Sequence, residues 1–433
     1  MRVRWLAALA VPFAIHAQGV ASGDARPLSL DEAIRLAQRS APGTVSARSQ
    51  IRTSDAAVRT AYGTYIPTFS SNYSGSKQIG DAVVDGRGFE RPSYSYSFGF
   101  SSNLELFDGM RRANQLRSAK ANLAAAESNE RLQRFRVALE VKQQFFIVAA
   151  ARESRTAALA QLAQAEEQLK VASARVAARV AILSDSLRSV IQVGNAQLAV
   201  LNAENSLRNA NATLTRLVAT PYLVTAAVSE NEGLNLVTLD SAQIAGWLND
   251  APLVSQARSE VNAAGASLRQ SRSPYWPTLN MNMNLSGNGT GTAFSLGASS
   301  YSKPASTIRI ALSYPIFNGF GREENVARAA ANETNAVAQL RDAQFQAEQQ
   351  LTQYVGALRL AEARATIQQA SVTAAEEDLR VQSQRYALGS STLLDVLTSQ
   401  TTLNQARASL IQARYDARLA KAQIEALIGR DLP

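Results

Sequence analysis

Few residues in this chain could do chemistry. Acidic pairs occur at Glu166-Glu167, Glu323-Glu324 and Glu376-Glu377, and carboxylates are common general acids and bases. All three pairs sit in helical stretches, where adjacent residues do not share a face, so no pair converges on a substrate. The one histidine is His16, and there is no cysteine. Arg2 and Arg4 precede the apolar stretch from Trp5 to Ile15 and the small residue Ala17. This reads as a secretory signal over residues 1–17, too short to span a membrane as a helix. Cleavage there removes His16. Cysteine nucleophiles, histidine triads and Cys/His metal sites are then excluded, disulfides cannot form, and no cysteine near the cleavage point can carry a lipid. No catalytic constellation remains, so neither an enzyme nor a bound cofactor is expected.

The 433 residues are 46% hydrophobic, as in an ordinary folded protein, and carry a net charge of +9 that falls to +7 when Arg2 and Arg4 leave. The arginines alternate with Glu, Asp and Gln along helical segments. They read as solvated helix faces rather than a nucleic-acid surface.

What organises these residues is a repeat. Two halves align at a constant offset of 210: Pro42 with Pro252, Tyr65 and Pro67 with Tyr275 and Pro277, and Phe107, Gly109 and Arg112 with Phe317, Gly319 and Arg322. Leu183, Asp185 and Leu187 likewise match Leu393, Asp395 and Leu397. A period this long marks a duplication, not a solenoid. The first repeat covers residues 18–218, a linker 219–240, and the second repeat 241–433. Each starts with a helix, about Leu30 to Ala61 and about Ser241 to Arg272, and Ser29 with Glu32 fits a capping box. Two strands come next, near 65–76 and 93–107, and near 275–286 and 306–317, before a long helical hairpin.

The strands alternate with period two. Tyr94, Tyr96, Phe98 and Phe100 interleave with small or polar residues, and Ile308, Ile310, Leu312, Tyr314 and Ile316 keep this parity against Arg309, Ala311 and Ser313. Leu279, Met281, Met283 and Leu285 alternate with Asn280, Asn282 and Asn284. A half-buried soluble sheet and a lipid-facing barrel both give this pattern. The Gly- and Ser-rich loops at 75–93 and 286–305 are long for hairpins, as in outer-membrane barrels. From Gly321 to Tyr386 there is no proline and one internal glycine, Gly356, which predicts a helix about 100 Å long. In the next helix Val396, Leu403, Leu410, Ala417 and Ile424 recur every seven residues, beside a stripe of Ala406, Ala413, Ala420 and Leu427. The first repeat matches these with Val193, Val200, Leu207, Leu214 and Ala196, Ala203, Ala210, Leu217. This is a coiled-coil seam whose alanines let helices approach closely.

Four strands cannot close a barrel, and an open edge in lipid leaves backbone groups unpaired at several kcal/mol each. Strands that meet lipid must be shared between chains. Eight strands make a barrel filled by side chains, whereas a wider one holds water. The inward Ser95, Ser97, Asn280, Asn282 and Asn284 suit a wet lumen.

Leu28-Ser29-Leu30-Asp31-Glu32-Ala33-Ile34, Tyr65-Ile66-Pro67, Phe107-Asp108-Gly109, Phe317-Asn318-Gly319, Arg385-Tyr386-Ala387-Leu388-Gly389 and Leu393-Leu394-Asp395-Val396-Leu397 together resemble the TolC-like outer-membrane factor family over essentially the whole mature chain. The resemblance implies a mixed membrane β-barrel and α-helical barrel: a homotrimer sharing a twelve-stranded barrel in outer-membrane lipid, continued by a periplasmic helical tunnel. It implies the outer-membrane channel component of a tripartite efflux or type I secretion system, docked through a periplasmic adaptor to an inner-membrane RND, ABC or MFS pump. By the same resemblance, Asp395 matches an acidic position ringing the tip lumen, and Asp185 and Tyr386 match positions whose contacts hold the aperture closed. Gly389, Leu393 and Leu183 fall at the hairpin turns and adaptor docking sites, and Asn280, Asn282, Asn284 and Arg309 line the barrel lumen. The chain departs from the pattern at Ser391, Thr398 and Arg179, where a basic residue, a second acid and a glycine are expected. Asp185 also fits as a helix cap before Ser186 and Leu187. A competing reading is a soluble periplasmic coiled-coil scaffold or adaptor. It accounts for the signal and the heptads, but not for four strands repeated at one offset.

Overall fold

The computed structural model describes residues 25–77, 79, 82–84, 87–89, 94–227, 246–291 and 303–432. The expected signal and residues 228–240 of the expected linker lie outside these. The chain begins with β1 (Arg26–Leu28), which pairs in parallel with β6 (Val224–Ala226). The helix expected to run from Leu30 to Ala61 is in fact two, α1 (Leu30–Ser40) and α2 (Pro42–Gly63). Its second-half counterpart, α5 (Pro252–Ser271), likewise starts at a proline and ends at Ser271. The breaks fall at Ala41 and Ala251, with ψ of 132° and 141°. A residue before proline is pushed out of the helical region, and the proline then suits the first helical position. Of the expected capping box at α1 the structure shows one bond, the Ser29 hydroxyl accepting from the Glu32 N–H at 3.4 Å.

Strands β2 (Thr68–Lys77), β5 (Tyr94–Phe107), β7 (Thr278–Gly291) and β8 (Ala305–Ser313) form one antiparallel sheet in that order. A small hairpin of β3 (Ala82–Val84) and β4 (Arg87–Phe89) lies between β2 and β5 in the chain. The register sorts the residues by chemistry. Ser70, Ser101, Asn284 and Thr307 line up across the four strands, as do Thr68, Asn103, Asn282 and Arg309. Directly opposed residues share a face, so this face is a field of hydroxyls and amides. It is laced by Ser70–Ser101, Ser74–Ser97 and Ser76–Ser95 bonds of 2.7, 2.6 and 2.7 Å. The other face carries Phe100 against Leu285, Met283 against Ile308 and Leu279 against Leu312. Strand β8 ends at Ser313, short of the expected 317, so Tyr314 and Ile316 lie beyond the ladder. Pro315 has no N–H to donate to it.

Each half leaves the sheet through one sharp corner. Gly109 and Met110 are both left-handed (φ 63° and 67°), as are Gly319 and Phe320 (φ 66° and 64°). In the first corner the buried Asp108 carboxylate accepts from the Arg112 backbone N–H at 2.9 Å and from its Nε at 2.8 Å. The guanidinium of Arg112 lies 5.0 Å from the centroid of the Tyr65 ring, and Arg322 repeats this over Tyr275 at 5.0 Å.

Beyond the corners run α3 (Arg111–Ala177) and α6 (Gly321–Ala387), of 67 residues each, returning as α4 (Leu183–Val218) and α7 (Leu393–Ile428), of 36 each. All corresponding ends differ by the 210 seen in the sequence. At 1.5 Å per residue the long arms reach about 100 Å. Every residue of both α7 stripes is buried, from Val396 to Ile424 and from Ala406 to Leu427. In α4 the counterparts are only partly covered, with Val200, Leu214, Ala196 and Ala210 buried and Val193, Leu207, Ala203 and Leu217 half-buried. A second apolar stripe of α4, Leu187, Ile191, Leu198 and Leu201, faces outward. The described helices contain no segment long and apolar enough to cross a membrane.

Ile424 is fully buried among Leu351, Leu358 and Leu427. Ile424→Ala deletes three carbons there and is expected to cost about 2–5 kcal/mol, read as a lower urea midpoint of the helical circular-dichroism signal.

Candidate functional site at the hairpin tips

The two hairpin turns are built alike. In the second, Gly389 N–H donates to Tyr386 O at 3.0 Å and Ser390 N–H to Arg385 O at 2.8 Å. In the first, Arg179 N–H donates to Val176 O and Val180 N–H to Arg175 O, both at 3.0 Å. The turn needs a left-handed residue at its second bond. Gly389 supplies it at φ 77°, and Arg179 adopts the same region at φ 61° without the freedom of glycine. The substitution at Arg179 therefore leaves the turn geometry intact.

Beyond the turns the two hairpins differ. The second continues Ser391-Thr392, the first Ala181-Ile182. Thr392 starts α7 with a complete capping box: its hydroxyl accepts from the Asp395 N–H at 3.3 Å, and the Asp395 carboxylate accepts from the Thr392 N–H at 2.9 Å. The hydroxyls of Thr392 and Ser391 also donate to that carboxylate, at 2.7 and 2.9 Å. Ser391, where a basic residue was expected, thus binds Asp395 instead. The Thr392 N–H, the Thr392 and Ser391 hydroxyls and, more weakly, the charge of Arg385 hold this carboxyl below its ordinary pKa. Asp185 does not take the capping role considered for it. The N-cap of α4 is Ile182, with no side-chain bond, because the hydroxyl that would reciprocate is missing. Asp185 sits in the first turn of α4 instead, a favourable place for negative charge.

Tyr386 is 5% exposed and packs with Leu379, Leu393 and Val396. Across from it, Arg175 of the first hairpin donates through Nη1 to the Tyr386 carbonyl and lays its guanidinium 4.4 Å from the ring centroid. This cation–π and hydrogen-bond contact joins residues 211 apart in sequence. Burial and the nearby charge of Asp185 raise the Tyr386 phenol pKa, with Arg175 opposing. Its hydroxyl has no hydrogen-bond partner among the described residues. Structure therefore brings together Asp185, Tyr386 and Arg175, a residue that no sequence pattern singled out. The repeat itself carried a signal: Arg175-Val176 stands where the second half has Arg385-Tyr386. Leu393, expected to face an adaptor, is 2% exposed, while its counterpart Leu183 is 65% exposed. The Tyr386 side chain covers Leu393 and no such aromatic exists in the first half, so Leu393 supports the turn rather than presenting to a partner.

The remaining expected residues lie far along the chain on the sheet. Asn280, Asn282 and Asn284 occupy alternate positions of β7, opposite Ala311, Arg309 and Thr307 of β8, on the polar face.

Because Asp395 has a depressed pKa, its bonds to Thr392 are present at neutral pH and fade only as pH falls through the folded value, below the ordinary carboxylate range. Amide exchange at Thr392, corrected for intrinsic rate, is expected to stay slow from pH 7 down to about 5 and to accelerate below the carboxylate range. Asp395→Ala is expected to show fast exchange throughout.

The family model for outer membrane efflux proteins matches residues 33–220 and 246–430. The chain is 23% identical over 397 residues to the outer membrane efflux protein BepC of Brucella suis, covering 89% of this chain and 82% of that one. It is 24% identical over 426 residues to the cobalt-zinc-cadmium resistance protein CzcC of Cupriavidus metallidurans, covering 94% and 91%. The solved outer membrane protein VceC of Vibrio cholerae superposes with a TM-score of 0.74 at 17% identity, over 93% of this chain and 97% of the other. With both halves of the chain matched, this protein belongs to the outer membrane efflux protein family.

Proposed function

We propose that three copies of this chain form a passive exit duct, a twelve-stranded barrel in the outer membrane continued by a helical tube into the periplasm. The observation that carries it is the sheet: both outer strands, β2 and β8, are exposed along their whole length, and its two faces separate hydroxyls and amides from aromatic and aliphatic side chains. Unpaired strand edges do not persist in hydrocarbon, and closure by sharing strands removes them. Eight strands leave no water-filled bore, whereas twelve do. Asn280, Asn282, Asn284 and Arg309 then line the lumen, and Phe100, Met283 and Ile308 meet lipid. The element ends repeated at a spacing of 210 read as an internal duplication. A soluble scaffold has no use for such a sheet.

The tips are the working end. Asp395 from each copy places negative charge near the threefold axis, favouring cations at the mouth. The exposed Val180, Ile182 and Leu183 of the first hairpin, with the turn at Gly389, form the apolar surface an adaptor docks on, linking the duct to an inner-membrane pump. Arg175 against Tyr386 restrains the second hairpin against the first and stands in for the basic residue absent at Ser391.

Mass measurement of the detergent-solubilised protein is expected to give three chains, and a monodisperse single chain with full strand content would refute the duct. In planar bilayers Arg175→Ala is expected to raise resting conductance, whereas Tyr386→Phe, which keeps the ring and loses an unpartnered hydroxyl, leaves it unchanged. Asp395→Ala is expected to weaken block by multivalent cations, and unchanged block removes the acidic ring.

A further inference from the structure

We infer that Arg309 of each copy contributes to a ring inside the barrel that draws in and binds solutes bearing phosphate or carboxylate groups. The inference rests on the threefold duct and adds to it a charge and a ligand class.

The polar face of the sheet is built almost entirely from neutral groups. Among its described residues only Glu105 and Arg309 carry charge. Glu105 is ion-paired with Arg111, which reaches it from the corner. Lys77 stands on the opposite face, over the Tyr94 ring. Strand β7 separates β5 from β8, so Glu105 and Arg309 lie about 10 Å apart across the sheet. The Arg309 guanidinium is exposed and has no ion pair or hydrogen bond among the described residues. The amides and hydroxyls around it already make this face wettable, so solubility does not call for the charge. The repeat isolates it further. The counterpart of Arg309 in the first half is Gly99, and each duct therefore carries three such guanidiniums rather than six.

The surroundings suit an oxyanion. Asn282 lies directly opposite Arg309, and the same row continues through Asn103 to Thr68. Amide and hydroxyl groups can donate hydrogen bonds, and a guanidinium presents a planar fork that matches carboxylate and phosphate. An anion held by that fork is within reach of the Asn282 amide, since opposed side chains start about 5 Å apart. Along β8 the flanking residues on this face are Thr307 and Ala311, both small, which leaves the guanidinium open to the lumen.

The size of the barrel decides whether the three charges act together. Twelve strands about 4.8 Å apart and tilted about 40° give a backbone cylinder about 12 Å in radius. Three arginines pointing inward from that wall bring their guanidiniums to roughly 10 Å from one another, close to the Debye length of about 8 Å at physiological salt. Their fields overlap across the bore, as in pores whose basic rings select anions.

The chain has no cysteine, so Thr307→Cys places a single thiol beside Arg309 on the polar face. Its rates of modification by a sulfonate-bearing and a trimethylammonium-bearing methanethiosulfonate report the local potential, whatever the state of the distant tips. At 0.01 M salt the anionic-to-cationic rate ratio is expected to fall about ten-fold when Arg309→Gln is added, and less than about two-fold at 1 M. Arg309→Lys keeps the charge and is expected to keep the ratio. Inorganic phosphate, added at constant ionic strength, is expected to slow the anionic reagent in the parent but not in Arg309→Lys, which lacks the fork. The native mass of each detergent-solubilised variant is measured alongside. In a protein of trimeric mass, a ratio that Arg309→Gln does not lower, or phosphate that does not protect the parent, overturns the inference and leaves the duct standing. A single-chain native mass overturns the duct and the inference together.

Discussion

The backbone amides and carbonyls along the outer edges of β2 and β8 constrain everything else in this molecule. Inside the sheet, three antiparallel ladders satisfy these groups. At the two outer strands nothing among the described residues does. In water such groups are solvated; in hydrocarbon they are not. In the proposed duct the edges pair with other copies, and the position of every helix hung from the sheet follows from that pairing. The long arms are rigid extensions of that arrangement. They start within a few residues of the strand ends, at corners pinned by Asp108, Arg112 and Tyr65 in one half and by Arg322 and Tyr275 in the other.

Much of this was legible in the sequence because it is periodic. Alternation marks β7 and its neighbours, a heptad marks α7, and a constant offset marks the halves. The strand ends near 77, 94 and 107 and the turn at Gly389 emerged within a few residues. What escaped was non-periodic. Pro42 and Pro252 break a helix that their flanks would otherwise continue, through a steric effect on Ala41 and Ala251 rather than any change in hydrophobic pattern. Pro315 ends β8 while the alternation runs on through Tyr314 and Ile316. Asp185 and Asp395 occupy equivalent positions, yet only Asp395 belongs to a capping box, because Ser391 and Thr392 supply hydroxyls where Ala181 and Ile182 cannot. Arg175 reaches Tyr386 across 211 residues, and no local pattern announces a contact of that span.

The halves share a backbone plan but have diverged in surface. Helix α7 buries both of its stripes, and Tyr386 seals the turn above Leu393. Helix α4, equal in length, leaves Leu187, Ile191, Leu198 and Leu201 outside. The second hairpin is therefore finished within the chain, while the first is left open to something else. In the proposed duct the two hairpins divide labour: one holds the shape near the axis while its twin offers contact surface.

The equal lengths of the paired arms, 67 residues descending and 36 returning in both halves, bear on how such a gene can change. Deleting one codon from α6 rotates everything below it by about 100° relative to α7 and breaks the alanine-to-leucine match along the seam. Deleting seven codons restores the phase but lifts that tip about 10 Å above its twin. Only matched heptad losses, in the descending and returning arms of both halves, leave four helices in phase and two tips level. Changes in tunnel length are therefore confined to whole-heptad steps made in concert, and single insertions in these arms are filtered out long before they affect what passes through.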